Sequence, residues 1–308
     1  MLLRQALETG QFAITAEVTP PRGGDPSRTL AVATKLRGLV HAVNVTDGSR
    51  AVMRMSSLAL CRLLLEAGLE PVLQLACRDR NRIALQADLL GAHALGIRNV
   101  LCLTGDPVRA GDQPGARAVN ELEAVRLLQL LSRLNDGLDP VAGLLPDGPT
   151  ALFPGAAADP QSTSWSGLRT RVARKQAAGA RFLQTQMVMN SEALRRFCGE
   201  ISEPLGLPVL AGVFLLKSAR NAAFINRVVP GASIPQSIID RLAASADPAA
   251  EGVAIAAEQV RSYSSIAQGV HLMAVKAEER IPRILAEAGV SAPAGLGLEE
   301  IRISSRPR

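Results

Sequence analysis

The chain has 308 residues, 47% of them hydrophobic and 20% charged, with a net charge of +6. That balance excludes a disordered chain, and the length suits either two domains or one large α/β barrel. Aromatics make up only 3%, with one Trp and one Tyr, so the stacking surface of a nucleic-acid binder is poorly provided for. The mild positive charge favours small anionic molecules instead. No run of 18 apolar residues is present, so no membrane span is expected. Arg4, Gln5 and Glu8 interrupt the opening segment where a signal peptide would be apolar. Cys61, Cys77, Cys102 and Cys198 form no Cys-x-x-Cys pair and read as reduced core thiols of a cytoplasmic protein.

Short apolar runs alternate with helical periodicity along the chain. The first run is Phe12–Val18, followed by a helix over 27–40. Ala42–Asp47 is followed by a helix over 56–68, with Gly68 as its C-cap. Glu70–Cys77 precedes a helix over 79–96, and Asn99–Asp106 a helix over 120–135. The stretch 136–150, rich in Gly, Pro and Asp, reads as an irregular connection. A fifth strand is expected at Thr150–Phe153, then a helix over 168–180, then Arg181–Val188. Asn190 signals the N-cap of a helix over 191–202. Pro208–Leu216 follows, then an inserted loop and short helix at 228–245, then Gly269–Val275. A last helix over 277–289 carries Pro282 in its first turns, and the tail 292–308 is expected at the surface.

The runs are apolar on both faces, as strands of a buried parallel sheet must be. Eight strand–helix units predict a single-domain (β/α)8 TIM barrel. A doubly wound sheet is the runner-up, weakened because no G-x-G-x-x-G follows an early strand.

In such a barrel the active site lies at the carboxyl ends of the strands. Glu17, Asp47, Asp79 and Asp106 fall there. Asp47 and Asp79 read as caps of the following helices. Glu17 differs, lying inside a strand-like run before Pro20 and Pro21. A partly desolvated carboxyl can serve as a general acid. Gly105, in Thr104–Pro107, lets the backbone turn sharply or approach a ligand. Gln184 and Gln186 end the sixth strand, and one of the two is expected at the barrel mouth. Arg174 and Lys175 precede that strand on a helix, either gripping phosphates or forming a solvated face. His41, His93 and His271 are too scattered for a local zinc motif, so no metal is expected and each reads as a core or surface residue. No G-x-S-x-G elbow occurs.

The motifs EVTPPR (17–22), NVTDGS (44–49), LTGDP (103–107), AGARFLQTQ (178–186) and AGVFLLKSARNAAF (from Ala211) recur in this order in one family. Over 12–288 the sequence resembles the 5,10-methylenetetrahydrofolate reductases. The resemblance implies a barrel carrying FAD, with NAD(P)H as co-substrate and a reduced folate as substrate, in one-carbon metabolism. It implies Glu17 as the acid that protonates the folate. Asp106 would lie near the flavin and the pterin, and Gln186 would contact pterin and nicotinamide. Thr46, Gln74, Gly105, Phe153, Arg174 and Lys175 would lie along the cofactor. Lys276 or Arg280 would hold the folate glutamate, where Ala277 replaces an arginine of the pattern. Relatives form dimers and tetramers, which leaves a homo-oligomer or a partner subunit open.

The departures concern flavin packing and phosphates. Two aromatics of the acidic motif are absent, Gln74 replaces a histidine, Thr104 a basic residue, and Phe153 a tyrosine. Two alternatives follow: a folate enzyme of the same fold with weak or no flavin, or fed by a partner electron donor, and a non-catalytic folate-binding subunit. An unrelated barrel enzyme with a Schiff-base lysine would have only Lys217 and Lys276 as candidates.

Overall fold

The computed structural model describes residues 2–229 and 231–290. Eight parallel strands close into a barrel in chain order. They are β1 (Ala13–Val18), β2 (Ala42–Val45), β3 (Pro71–Ala76), β4 (Asn99–Leu103), β5 (Phe153–Ala158), β6 (Phe182–Met187), β7 (Val209–Phe214) and β8 (Gly269–Met273). β8 pairs with β1 and closes the cylinder. The helices are α1 (Leu2–Thr9), α2 (Ser27–Thr34), α3 (Ser57–Glu66), α4 (Arg82–Ala94), α5 (Ala124–Asn135) and α6 (Trp165–Ala177). They continue with α7 (Ser191–Phe197), α8 (Ala219–Val228), α9 (Gln236–Ala244), α10 (Pro248–Tyr263) and α11 (Ile281–Ala288). This is the expected TIM barrel.

Alternation along each strand sorts the side chains into two sets. Ile14, Ala16, Val43, Val45, Leu73, Leu75 and Val100 point outward and join the helices in the main core. Ala13, Ala42, Val72, Leu101, Phe153, Phe182 and Leu210 form a second cluster at the amino-terminal end of the barrel. Helix α1 plugs that end with Leu3, Ala6 and Leu7. Its first N–H groups, which have no partner within a helix, donate to the Glu70 carboxylate from Leu2 and Leu3. This helix is not among the elements expected from the sequence; its apolar face is short, formed by Leu3, Ala6 and Leu7 between Arg4, Gln5 and Glu8.

The fifth strand is displaced from its expected position. Phe153 opens β5 rather than ending it. The strand sequence FPGAAA lacks the β-branched residues that mark strands, yet it is shaped by its neighbour. A Cβ on Gly155 would lie 2.2 Å from the Phe182 ring, so only glycine admits that ring. The connection 136–150 holds a small hairpin, Leu138–Asp139 against Gly143–Leu144. Between β7 and β8 lie three helices, α8, α9 and α10, where the sequence suggested one short helix within 228–245. The tail 292–308 lies outside the described residues. Among the described residues no helix is long and apolar enough to cross a membrane. All four cysteines are buried free thiols. Burial pushes the Cys77 thiol up to about 11, which suits packing rather than nucleophilic chemistry.

Candidate active site

Above its apolar floor the barrel interior turns polar. Thr15, Asn44, Gln74, Gln184 and His271 are all buried. Glu17 lies two positions beyond Thr15 and therefore shares its inward face. Its side chain is 17% exposed. Gln74 Nε2 donates to Glu17 Oε2 at 3.3 Å. His271 Nε2 lies 3.6 Å from the same oxygen, and His271 Nδ1 is 3.0 Å from the Thr15 hydroxyl. Strand register produces this arrangement: Thr15 stands opposite His271 across the closing seam, and Glu17 opposite Asn44.

His271 is the functional candidate that sequence reasoning missed. Its signal was modest: a single polar residue within the apolar run of β8. Its partner on β1 is distant in sequence, and only barrel closure joins them.

Several buried polar atoms in this interior have no partner: both amide atoms of Asn44, Thr46 Oγ1, Gln184 Oε1 and His271 Nε2. Unsatisfied buried polar groups are costly and uncommon. Their convergence marks a cavity lining that a polar ligand or water completes.

Asp106 is exposed at the carboxyl end of β4. Its carboxylate accepts the Arg50 N–H at 2.6 Å, and its carbonyl accepts Arg78 Nη1 at 3.3 Å. Arg78 is buried and ties three loops together, also reaching the Gly48 carbonyl and both oxygens of Asp79. Gly105 has φ +94°, and a Cβ there would lie 2.9 Å from Arg78 Cβ. Glycine at this position thus lets the β4 loop pass over the arginine.

The helix-cap expectation for Asp47 and Asp79 is corrected. Asp47 accepts the Ala76 N–H at 2.9 Å and pairs with Arg80 at 2.7 Å. Asp79 pairs with Arg78, and Asn81 caps α4 instead. Arginines at close range outcompete a capping role for both carboxylates. Thr104, in place of a basic residue, accepts the Ala124 N–H at the start of α5.

Gln184 and Gln186 would share one face of a regular strand. A bulge between Gln184 and Met187 breaks the alternation. Gln184 stays buried inside, and Gln186 is exposed at the strand end. Glu17, Asp106 and Gln186 thus stand on three separate strands around the mouth rather than side by side. Thr46 is buried just beyond β2.

Other expected positions lie elsewhere. Phe153 is at the opposite end of the barrel, stacked on Phe182 with ring centroids 5.3 Å apart. Its assignment beside a cofactor is corrected, because it begins its strand rather than ending it. Arg174 and Lys175 occupy the last turn of α6, which leads to the amino end of β6. Arg174 is exposed, and Lys175 Nζ donates to the Ala157 carbonyl at 2.6 Å. Burial lowers the Lys175 pKa. Lys276 lines a cleft beside the mouth; Arg280 is absent from its lining. Among the described residues no group of three His, Cys, Asp or Glu is arranged for a metal.

The family model for methylenetetrahydrofolate reductase matches residues 2–289. The chain belongs to the methylenetetrahydrofolate reductase family. Among solved structures it is similar to an uncharacterized protein from Clostridium thermocellum that binds two copies of 5-methyl-5,6,7,8-tetrahydrofolic acid. The identity is 15% and the TM-score 0.65, covering 94% of this chain and 98% of that one. It is also similar to tryptophan synthase from M. tuberculosis, at 12% identity and TM-score 0.51, over 94% and 98% of the two chains. At such identities both likenesses show the barrel fold alone. Family membership makes this reductase-family member a folate enzyme, with the inward Glu17 at its mouth.

Proposed function

We propose that this protein reduces 5,10-methylenetetrahydrofolate to 5-methyltetrahydrofolate, with NAD(P)H as the hydride source, bound FAD as the carrier and Glu17 as the general acid. One observation carries the reading. The Glu17 carboxyl group points into the barrel mouth, held by Gln74 and adjoining the buried His271.

Opening the five-membered ring of the substrate places a proton on the departing nitrogen and leaves an iminium carbon to accept hydride. Glu17 supplies that proton. The Thr15 hydroxyl engages His271 Nδ1, fixing the ring so that Nε2 faces Glu17. After proton transfer the carboxylate keeps the Gln74 N–H as its hydrogen-bond donor. The fixed negative charge of Asp106 stabilises the cationic carbon, and Gln186 contacts the pterin.

Thr46, with its buried and unpartnered hydroxyl, fits the polar edge of a flat flavin ring, as do the Gln74 amide and the exposed Gly105 backbone. The fit is confined to the ring, since Phe153, Arg174 and Lys175 stand elsewhere. Held there, FAD would supply the two-electron hydride chemistry that links NAD(P)H to the folate carbon. The similar barrel from C. thermocellum binds 5-methyltetrahydrofolic acid, the product on this reading.

The displaced phosphate-side residues favour a second reading, a folate enzyme of this family with weak or no flavin. A visible spectrum and an NAD(P)H oxidation assay separate the two. The first reading expects yellow protein, bleached by NAD(P)H and recoloured by methylenetetrahydrofolate. Colourless protein that binds folate, yet leaves NAD(P)H untouched even with added FAD, selects the second.

A further inference from the structure

A cavity of about 340 Å³ lies at the amino-terminal end of the barrel, away from the mouth that holds Glu17. The carboxyl ends of α5 and α6 wall it, together with the chain that enters β5 from Leu152 to Pro154. Its size falls within the range of small-molecule sites, about 300–1,000 Å³.

Some of its polar groups are committed to the fold. Thr150 Oγ1 donates to Asn135 Oδ1 at 2.6 Å, and Asn135 Nδ2 donates to the Leu152 carbonyl at 2.8 Å. Arg4 pairs with Glu8 at 2.7 Å and lies over the Phe153 ring. Others in the lining are uncommitted. The Asp136 carboxylate, the Ser132 hydroxyl, the Gln176 amide and the Arg181 guanidinium have no hydrogen-bond or ion-pair partner among the described residues.

Asp136 is the informative member. It is the C-cap residue of α5, beside the negative end of the helix dipole. The carboxyl end of α6 adds potential of the same sign. A carboxylate in that position calls for a cation, and the described chain supplies none. Arg181, at the entrance to β6, is equally without a carboxylate, and the two do not pair with each other. An anion and a cation held unpaired around one cavity suit a ligand that carries both charges.

We propose that this cavity binds an aliphatic α-amino acid as its zwitterion. Asp136 and Ser132 take the ammonium group, Arg181 and Gln176 take the carboxylate, and the side chain rests on Leu152, Phe153 and Ala180. The inference goes beyond the folate reading and does not depend on it. A phosphate or a dicarboxylate would meet Asp136 and two helix carboxyl ends as like charge, and a simple amine would leave Arg181 unused.

The test is calorimetric titration of the full chain with L-valine, L-leucine, L-isoleucine and L-methionine. At least one is expected to bind at millimolar concentration or below. For the tightest of them, Asp136→Asn and Arg181→Gln should each weaken binding at least about tenfold, the usual worth of a hydrogen bond to a charged group. Both residues are exposed, so the variants should keep the fold, which thermal melts check. Wild-type protein provides a second test without mutagenesis. The carboxylic acid lacking the amino group and the amine lacking the carboxylate, such as 4-methylpentanoate and 3-methylbutylamine for L-leucine, should each bind at least about tenfold more weakly. Absence of binding by all four amino acids would overturn the proposal. Undiminished binding in both variants would overturn it as well, by placing the amino acid elsewhere. Equal binding of either analogue would also contradict it, since one of the two charges would then be unread.

Discussion

His271 Nε2 stands 3.6 Å from Glu17 Oε2 across the seam where the last strand of the barrel meets the first. Neither residue gains this neighbour until the cylinder closes. The Glu17–His271 pair is therefore assembled by the completed fold rather than by a local motif.

Replacing His271 with Asn is expected to keep a polar group of smaller reach while removing the imidazole beside Glu17. kcat for folate reduction should fall about 100-fold, the low end of the range for acid–base effects. The pH–rate profile should shift with it, while KM for folate stays within a few-fold. Steady-state kinetics between pH 5 and 9 check this. An unchanged profile would reduce His271 to packing.

Gly105→Ala should destabilise the mouth. The backbone there has φ +94°, and the new Cβ would meet Arg78 Cβ at 2.9 Å. Backbone strain of this kind costs about 1–3 kcal/mol. A lowered Tm, accompanied by weaker folate turnover as the Asp106 loop moves, is the expected result of thermal melts and assays.

Stability should decline on acidification through His41. Burial lowers its pKa, and its Nδ1 accepts the Ile14 N–H at 3.0 Å. Below the unfolded value of about 6.5 the unfolded chain binds a proton that the folded chain resists, so stability falls as pH drops. The contribution is complete above that value and diminishes down to the folded pKa. His41→Asn, which retains an acceptor, should flatten the fall in Tm between pH 7 and 5. An equally steep fall in the variant would assign the effect to other groups.

Much of the barrel was legible because parallel strands buried on both faces read as apolar runs. β5 was misplaced because Pro154, Gly155 and three alanines carry no strand signature; the bulk that fills that part of the interior comes from Phe182. Helices α8 and α10 were less legible, since the Pro- and Gly-rich stretch between them dominates the local pattern. At the site, Glu17 and Asp106 were recognisable from strand ends and motifs. The roles of Asp47 and Asp79 were not, because Arg80 and Arg78 reach them through turns that spacing does not reveal. His271 required tertiary geometry, since its partner Glu17 lies across the seam.

Glu17→Gln provides the most direct test. The change preserves shape and removes the exchangeable proton. Formation of 5-methyltetrahydrofolate from 5,10-methylenetetrahydrofolate, followed by chromatography, should fall at least about 100-fold in the variant. Binding of 5-methyltetrahydrofolate, measured by calorimetry on the same sample, should change only a few-fold. A variant that forms the methyl product at the wild-type rate would contradict proton delivery from this carboxyl group.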